Sequence, residues 1–320
     1  MDANPNQETP VPSPVLSFDV EEYFQVEAAA GRLCPGCWSR MPRRLDKSVD
    51  QILELLHRHR QRATFFILGW VARNEPHIVR RIADAGFEIA SHGMNHQMLQ
   101  RLTPEQFRRD LVFSRKALED ISGRHVVGYR APTFSITHRT AWAIDELAAA
   151  GYQYDSSIFP VRHDRYGVPD APRFAHRAVS ANGDAIIELP PLTRRIAGVN
   201  IPVGGGGYLR LLPAKMIAKA IRRHAHAGHA AMIYLHPWEF DPDQPILPMT
   251  MLSRFRHRIN LSRTADKLDW LMTNFSFQEA RQCLQAIPAD QLPIHVYGDR
   301  TQRAPSVSDG ANQPGKRRAA

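Results

Sequence analysis

From residue 14 onward, short apolar runs alternate with runs of helical periodicity, and that alternation restricts the architecture of this chain more than any other feature. "PVLSFDV", "ATFFILG", "FEIAS", "VVGYRAP", "YQYDSS", "AIIELP" and "AAMIYLH" read as strands by their length and their β-branched or aromatic content. Between the first two, "LDKSVDQILELLHRH" sets Val49, Ile52, Leu53, Leu55 and Leu56 at helical spacing. "PHIVRRIADAG" has Pro76 near its start and Gly86 just past its end. "TPEQFRRDLVFSRKALEDISG" opens with a Thr103 cap and Pro104 and closes on Gly123. "RTAWAIDELAAAG" and "PAKMIAKAIRRHAHAG" continue the series. The pattern predicts an α/β fold with a mostly parallel sheet, which fits either a barrel or an open doubly wound sheet.

Polar, reactive residues recur where these strands end. Asp19 and Glu21 close the first, His92 follows "FEIA", Arg130 follows "VVGY", Asp155 follows "YQY", and His236 follows "MIYL". In parallel α/β folds the carboxyl ends of the strands share one face, so these residues are expected to converge.

Their types suit a hydrolytic metal centre. Catalytic zinc commonly takes three His or carboxylate ligands and keeps a position open for water. In "SHGMNH", His92 and His96 stand four apart, a spacing that on a helical turn puts both imidazoles on one face. "FDVEE" offers the third ligand. In an extended strand Asp19 and Glu21 point to one side and Glu22 to the other, which favours Glu21 over Glu22 as the ligand and Asp19 as a base. Each piece alone is ordinary. The chain has 15 histidines, so close pairs arise by chance, and His57, His59, His224 and His226 read as solvated helix faces. An acidic cluster is usually a solvated loop, Arg130 alone a surface charge, and His236 alone a satisfied core histidine.

In order and spacing, "SFDVEEYF", "ATFFILGW", "SHGMNH", "YRAPTFS", "YDSSIFP" and "YLHPWEFDPDQP" resemble the polysaccharide deacetylase (NodB-homology) family. "FPVRHDRYGVPDAPRF", "GGGGYLRLLP" and "SRFRHRINLSRT" are similar to segments of its exopolysaccharide- and exosortase-associated subgroup. The resemblance implies a distorted (β/α) barrel with about seven parallel strands, fewer than the full eight-fold type. It implies a catalytic domain over residues 14–285, with a subgroup extension from about residue 200. The implied activity removes acetyl groups from N-acetylated sugars with a divalent metal, usually zinc. By position, Asp19 matches the base, His92 and His96 two ligands, Arg130 the arginine that orients the base, and His236 the general acid. Asp155 falls in the motif that sets up this acid. The first motif departs from the family's adjacent aspartates, since this chain has "DVEE". Backbone N–H groups near that motif are expected to help hold the oxyanion.

The glycine run from Gly204 to Gly207 has no following Lys-Ser/Thr and is no phosphate loop. A flexible turn and a loop lining a sugar groove both fit it, and Gly206 and Tyr208 are expected at the sugar. Arg162 and Tyr166 of "RHDRY", and Trp238, are further expected substrate contacts, although Trp238 also suits a core position.

The net charge is +9, partly from "GKRRAA" at the end, and no nucleic-acid motif accompanies it. The partner that the resemblance implies is an N-acetylated glycan; no nucleic acid is expected, and weak peripheral association with an anionic membrane is left open. Three cysteines, Cys34, Cys37 and Cys283, do not make a disulfide framework, and "CPGC" without a second pair reads as a loop with free thiols. Residues 1–13 and 300–320 read as a disordered leader and a disordered basic tail. No secretory h-region and no apolar run of about 18 residues is visible, which gives the expectation of a soluble cytoplasmic protein. Two other readings share these residues: a hydrolase of other C–N amides on the same scaffold, and a catalytically silent glycan-binding protein.

Overall fold

The computed structural model describes residues 11–163 and 165–298. The expected leader falls mostly, and the expected tail wholly, outside these residues. Eleven strands are present among them: β1 (Val15–Val20), β2 (Thr64–Ile67), β3 (Glu88–Ser91), β4 (Gly128–Tyr129), β5 (Tyr154–Asp155), β6 (His176–Val179), β7 (Ala185–Glu188), β8 (Thr193–Ile196), β9 (Val199–Pro202), β10 (Met232–Leu235) and β11 (Ile294–Val296). Nine form one sheet in the order β10-β1-β2-β3-β4-β5-β7-β6-β11, and β8 and β9 form a separate hairpin. Every pairing in the large sheet is parallel except β6 with β7.

The seven runs expected as strands are β1, β2, β3, β4, β5, β7 and β10. The chain leaving β7 returns to β10, where Pro191 bridges Met232 in parallel and Leu192 N donates to Met232 O at 2.8 Å. This bridge sets the segment after β7 beside β10, while among the described residues no strand pairing joins β7 to β10. The strands β6, β8, β9 and β11 carried no clear sequence signal, being four residues or fewer with polar or exposed positions.

Alternation along β1 separates two environments. Leu16, Phe18 and Val20 join Phe65, Ile67, Ile89 and the buried faces of the surrounding helices in one apolar cluster. Val15 faces the other way with Phe66, Ala90, Tyr154 and Met232 in a second cluster. Ser17 and Asp19 share the parity of Val15, and Asp19 stands opposite Phe66 in the β1–β2 register. The strand interior is thus where polar residues meet the site.

Helix Leu45–Arg58 buries Val49, Ile52, Leu53, Leu55 and Leu56, as its spacing predicts. Helix Pro104–Ser122 begins in a capping box, in which Thr103 Oγ1 accepts from Gln106 N at 3.3 Å and Gln106 Oε1 accepts from Thr103 N at 2.8 Å. It ends at Gly123 in the left-handed conformation. The histidines expected on solvated helix faces divide. His57 and His226 are exposed, His59 pairs with Asp269 at 2.8 Å, and His224 is buried with Nδ1 3.2 Å from Ala220 O. The buried face of its amphipathic helix, with Ile217 and Ile221, takes His224 inside. Among the described residues, no helix is long and apolar enough to cross a membrane.

Candidate active site

The carboxyl ends of the central strands bring Asp19, Glu21, His92, His96, Arg130 and His236 together. Arg130 leaves β4 fully buried. Its Nη1 donates to Asp19 Oδ1 at 2.6 Å and to Ser17 Oγ at 3.0 Å, and its Nη2 to Ser156 Oγ at 2.9 Å. The guanidinium also lies 4.0 Å from the Phe66 ring centroid. A charge buried this deeply requires a charged partner and further acceptors, and Asp19 with these groups supplies them. Asp19 is thereby fixed, with Oδ2 3.8 Å from His236 Nε2.

The His92–His96 stretch is a turn, not the helical turn its spacing suggested. Gly93 has φ +75° and His96 has φ +51°. These left-handed residues fold the stretch back so that both rings face the same point, with centroids 5.4 Å apart. A side chain at Gly93 would be strained, and its Cβ would meet Asp110 at 3.0 Å. Gly69 N and Trp70 N each donate at 2.8 Å to the carbonyls of Gly93 and Met94, while the Asp110 carboxylate accepts from Met94 N at 3.0 Å. Burial pushes the Asp110 carboxyl up to about 6.

Glu21, His92 and His96 present three buried ligand atoms within 4.8 Å of one another. His92 Nδ1 is 2.9 Å from the Arg130 carbonyl, which holds the proton there and leaves Nε2 bare for an ion. Glu21 Oε2 lies 2.7 Å from His96 Nε2, outside hydrogen-bond angles, and is otherwise a buried acceptor without a partner. Two acceptor atoms aimed at one point, rather than at each other, fit a shared cation. Burial alone would raise the Glu21 carboxyl, but His96, His236 and His92 around it outweigh this and hold it down at about 2. Burial lowers His92 to about 4, so its ring is neutral and able to ligate.

Glu22 faces away from this cluster. Its Oε1 accepts from Arg44 N at 2.7 Å and Leu45 N at 3.3 Å, capping helix Leu45–Arg58. Burial, with Glu75 nearby, raises its carboxyl to about 8.

His236 follows β10 and is partly exposed. Its Nδ1 lies 2.8 Å from Glu239 Oε1, and Arg210 Nε donates to the other Glu239 oxygen at 2.6 Å. Burial alone would lower the imidazole, but the Glu239 hydrogen bond and the charges of Glu21, Glu239 and Asp19 raise it to about 9. Asp155 was expected to set up this histidine, and here the structure corrects the sequence reading. Asp155 is buried against Ser157 and Glu188, and the carboxylate on His236 is Glu239. The two-residue strand β5 ends with Asp155 facing β7, so its carboxyl meets Glu188 in the facing register. Trp238 is corrected as well. It is a buried brace whose Nε1 donates to Glu21 Oε1 at 3.1 Å, and whose ring stacks between His236 at 5.0 Å and His257 at 4.3 Å.

Beside His236 runs a groove of about 700 Å³, lined by Arg162, Tyr166, Tyr208 and Tyr234, and by Phe255 and Arg256, which the sequence did not reveal. Gly205 and Gly207 line it on either side of Gly206. Gly205 bridges Tyr234 on β10, and a Cβ there would sit 2.3 Å from the tyrosine ring. Only glycine allows that approach. The "CPGC" thiols Cys34 and Cys37 are free, near the surface and 3.1 Å apart, and contact with Cys34 and then Arg40 lowers the Cys37 thiol.

Glu239 and Arg210 escaped the sequence reading. Glu239 had a faint signal, its three-residue spacing from His236, while Arg210 sits in "YLRLLP" with none.

Residues 37–154 match the family model described as polysaccharide deacetylase, and residues 156–285 match one described as a domain of unknown function, DUF3473. The first segment contains His92, His96 and Arg130, and the second contains Arg210, His236, Glu239 and every described residue that lines the groove. The chain is similar to a chitooligosaccharide deacetylase of Bradyrhizobium sp., 28% identical over 32% of this chain and 44% of that protein. It is also similar to a peptidoglycan deacetylase of Helicobacter pylori, 25% identical over 53% of this chain and 57% of that one. Each match thus spans less than two thirds of the relative. A crystal structure of a putative polysaccharide deacetylase from Mycobacterium smegmatis superposes with a TM-score of 0.58 at 19% identity, covering 90% of this chain and 94% of that one. That likeness is one of fold.

Proposed function

We propose that this chain hydrolyses the acetamide of N-acetylated sugars in a polysaccharide or oligosaccharide, a reading supported by the match of residues 37–154 to the polysaccharide deacetylase family model. The observation that carries the reading is the placement of Asp19 Oδ2 3.8 Å from His236 Nε2, beside the Glu21–His92–His96 triad. A base and an acid facing one small volume suit a reaction in which one proton is taken and one given.

Glu21, His92 and His96 hold the divalent ion in this reading, and a His₂–carboxylate donor set suits zinc. When bound, the ion would make a water acidic and polarise the acetamide carbonyl. Asp19, oriented by Arg130, takes a proton from the attacking water. His236, kept protonated by Glu239, gives a proton to the sugar nitrogen as the C–N bond breaks, since an amine leaving without one is a poor leaving group. Trp238 holds Glu21 from behind. The products are acetate and a free amino sugar. Residues 14–285 act as one catalytic unit, because the base comes from before the first matched segment and the acid from the second. The resemblance to the exopolysaccharide-associated subgroup supports a role in exopolysaccharide biosynthesis.

Acetate release from chitooligosaccharides and partly acetylated polysaccharides by wild type, Asp19→Asn and His92→Ala tests this. Release is expected from wild type alone, and equal release from all three would overturn the reading.

A further inference from the structure

We infer that the groove beside His236 is a subsite for an anionic sugar unit, with Arg162 and Arg256 receiving its carboxylate or phosphate. The inference deepens the deacetylase reading and rests on it for the position of the reacting acetamide.

Charge is the first observation. Arg162 and Arg256 both line the groove and both are exposed. Among the described residues, neither guanidinium has an ion pair or a hydrogen bond. Several other arginines, by contrast, are matched, Arg44 with Asp241, Arg81 with Asp46 and Asp50, Arg101 with Glu27, and Arg108 with Glu146, so what marks this pair is its shared concavity. Among the described residues, no Asp or Glu lines the groove. Two unmatched guanidinium forks in one concavity suit carboxylate or phosphate oxygens, which they can meet with paired charge-assisted hydrogen bonds.

Ring surface is the second. Phe255 is 60% and Tyr208 42% exposed, and both line the groove. Exposed aromatic faces in a concavity offer stacking to the apolar face of a sugar ring, which a free small anion would not use.

Rigidity and continuity complete the case. Buried Arg210 donates to the carbonyls of Arg256, His257 and Ile259, at 3.1, 2.9 and 2.7 Å, while its Nε holds Glu239. One side chain therefore fixes the backbone of Arg256 and the partner of His236 together. Tyr234 lines the groove, and its ring centroid is 5.9 Å from that of His236. A sugar held in the groove is next to the unit whose nitrogen His236 protonates, and a wall set in advance loses little entropy on binding.

The test compares a neutral N-acetylglucosamine tetramer, an N-acetylated oligosaccharide with uronic acid units, and an N-acetylated oligosaccharide carrying a terminal diphosphate. Acetate release is measured for wild type and the Arg162→Gln/Arg256→Gln double variant, and direct binding of each ligand on an Asp19→Asn background. Wild type is expected to prefer an acidic ligand, and the double variant to lose about tenfold or more of the acidic-to-neutral ratio of kcat/KM, the size expected for losing charge-assisted hydrogen bonds. The ligand that carries the effect identifies carboxylate or phosphate as its source. An unchanged ratio, or equal loss on neutral and acidic substrates, overturns the subsite. Arginine-dependent binding of an acidic ligand without acetate release from any substrate would keep the subsite and overturn the deacetylase reading instead.

Discussion

The Glu239 carboxylate lies 2.8 Å from His236 Nδ1, with Arg210 holding its other oxygen at 2.6 Å. This arrangement keeps the imidazole charged while burial opposes it. A group whose pKa is raised on folding stays protonated below the raised value, so the acid is present up to about 9 and lost above it. Glu239→Gln removes both the charge and the acceptor that favour the proton. The alkaline limb of kcat/KM is expected to move down toward 6.5, the ordinary histidine value, with a loss of about 10- to 100-fold at its former plateau. An ion on Glu21 would cancel that residue's share of the shift but not the share of Glu239. A pH–rate profile of the two proteins checks this.

Asp19→Asn keeps the shape of the side chain and an acceptor for Arg130 but removes the base, and by taking the charge that pairs the buried guanidinium it also costs stability. Acetate release is expected to fall by about 10²- to 10⁴-fold while bound metal is unchanged. Arg130→Ala should lower stability by about 3–5 kcal/mol, because it strands the buried Asp19 carboxylate and leaves no acceptor-to-donor contact in its place. Denaturant melts and kinetics on the two variants separate chemistry from folding.

The two adjacent glutamates should part company in a metal assay. Glu21→Gln is expected to lose the ion and the activity, as read by elemental analysis of dialysed protein. Glu22→Ala should retain the ion and lose about 1 kcal/mol of stability, since it only uncaps helix Leu45–Arg58. Chelation of wild type should abolish acetate release, and added zinc should restore it.

Gly205→Ala drives a methyl group to within 2.3 Å of the Tyr234 ring. The backbone oxygen of Tyr234 would also lie 2.5 Å away, so relief is costly, and the expected destabilisation is about 1–3 kcal/mol. Displacement of Tyr234 should also raise KM, which a thermal melt and a Michaelis curve will show together.

Much of this protein was legible in its residues. Seven strands, the capped helix Pro104–Ser122 and the clustering of reactive side chains at strand ends follow from local rules: apolar periodicity, capping, and the shared direction of parallel strands. Period two along β1 was enough to choose Glu21 over Glu22. His92 and His96 were found through their spacing, although the turn that unites them depends on left-handed backbone at Gly93 and His96 that spacing does not encode.

What the tertiary structure alone decided is which groups touch across long separations. Asp155 and Glu239 are both acidic residues near a reactive segment, and nothing local says which one reaches His236. The β5–β7 register sets Asp155 opposite Glu188, while the short helix Pro237–Phe240 returns Glu239 to the ring. Arg210 and Arg256 lie 46 residues apart, yet a buried guanidinium must find acceptors, and the nearest are the carbonyls where helix Met251–Arg258 ends. Local rules place each side chain on a face, whereas desolvation and packing choose its partner, and that choice is made only once the chain has closed around it.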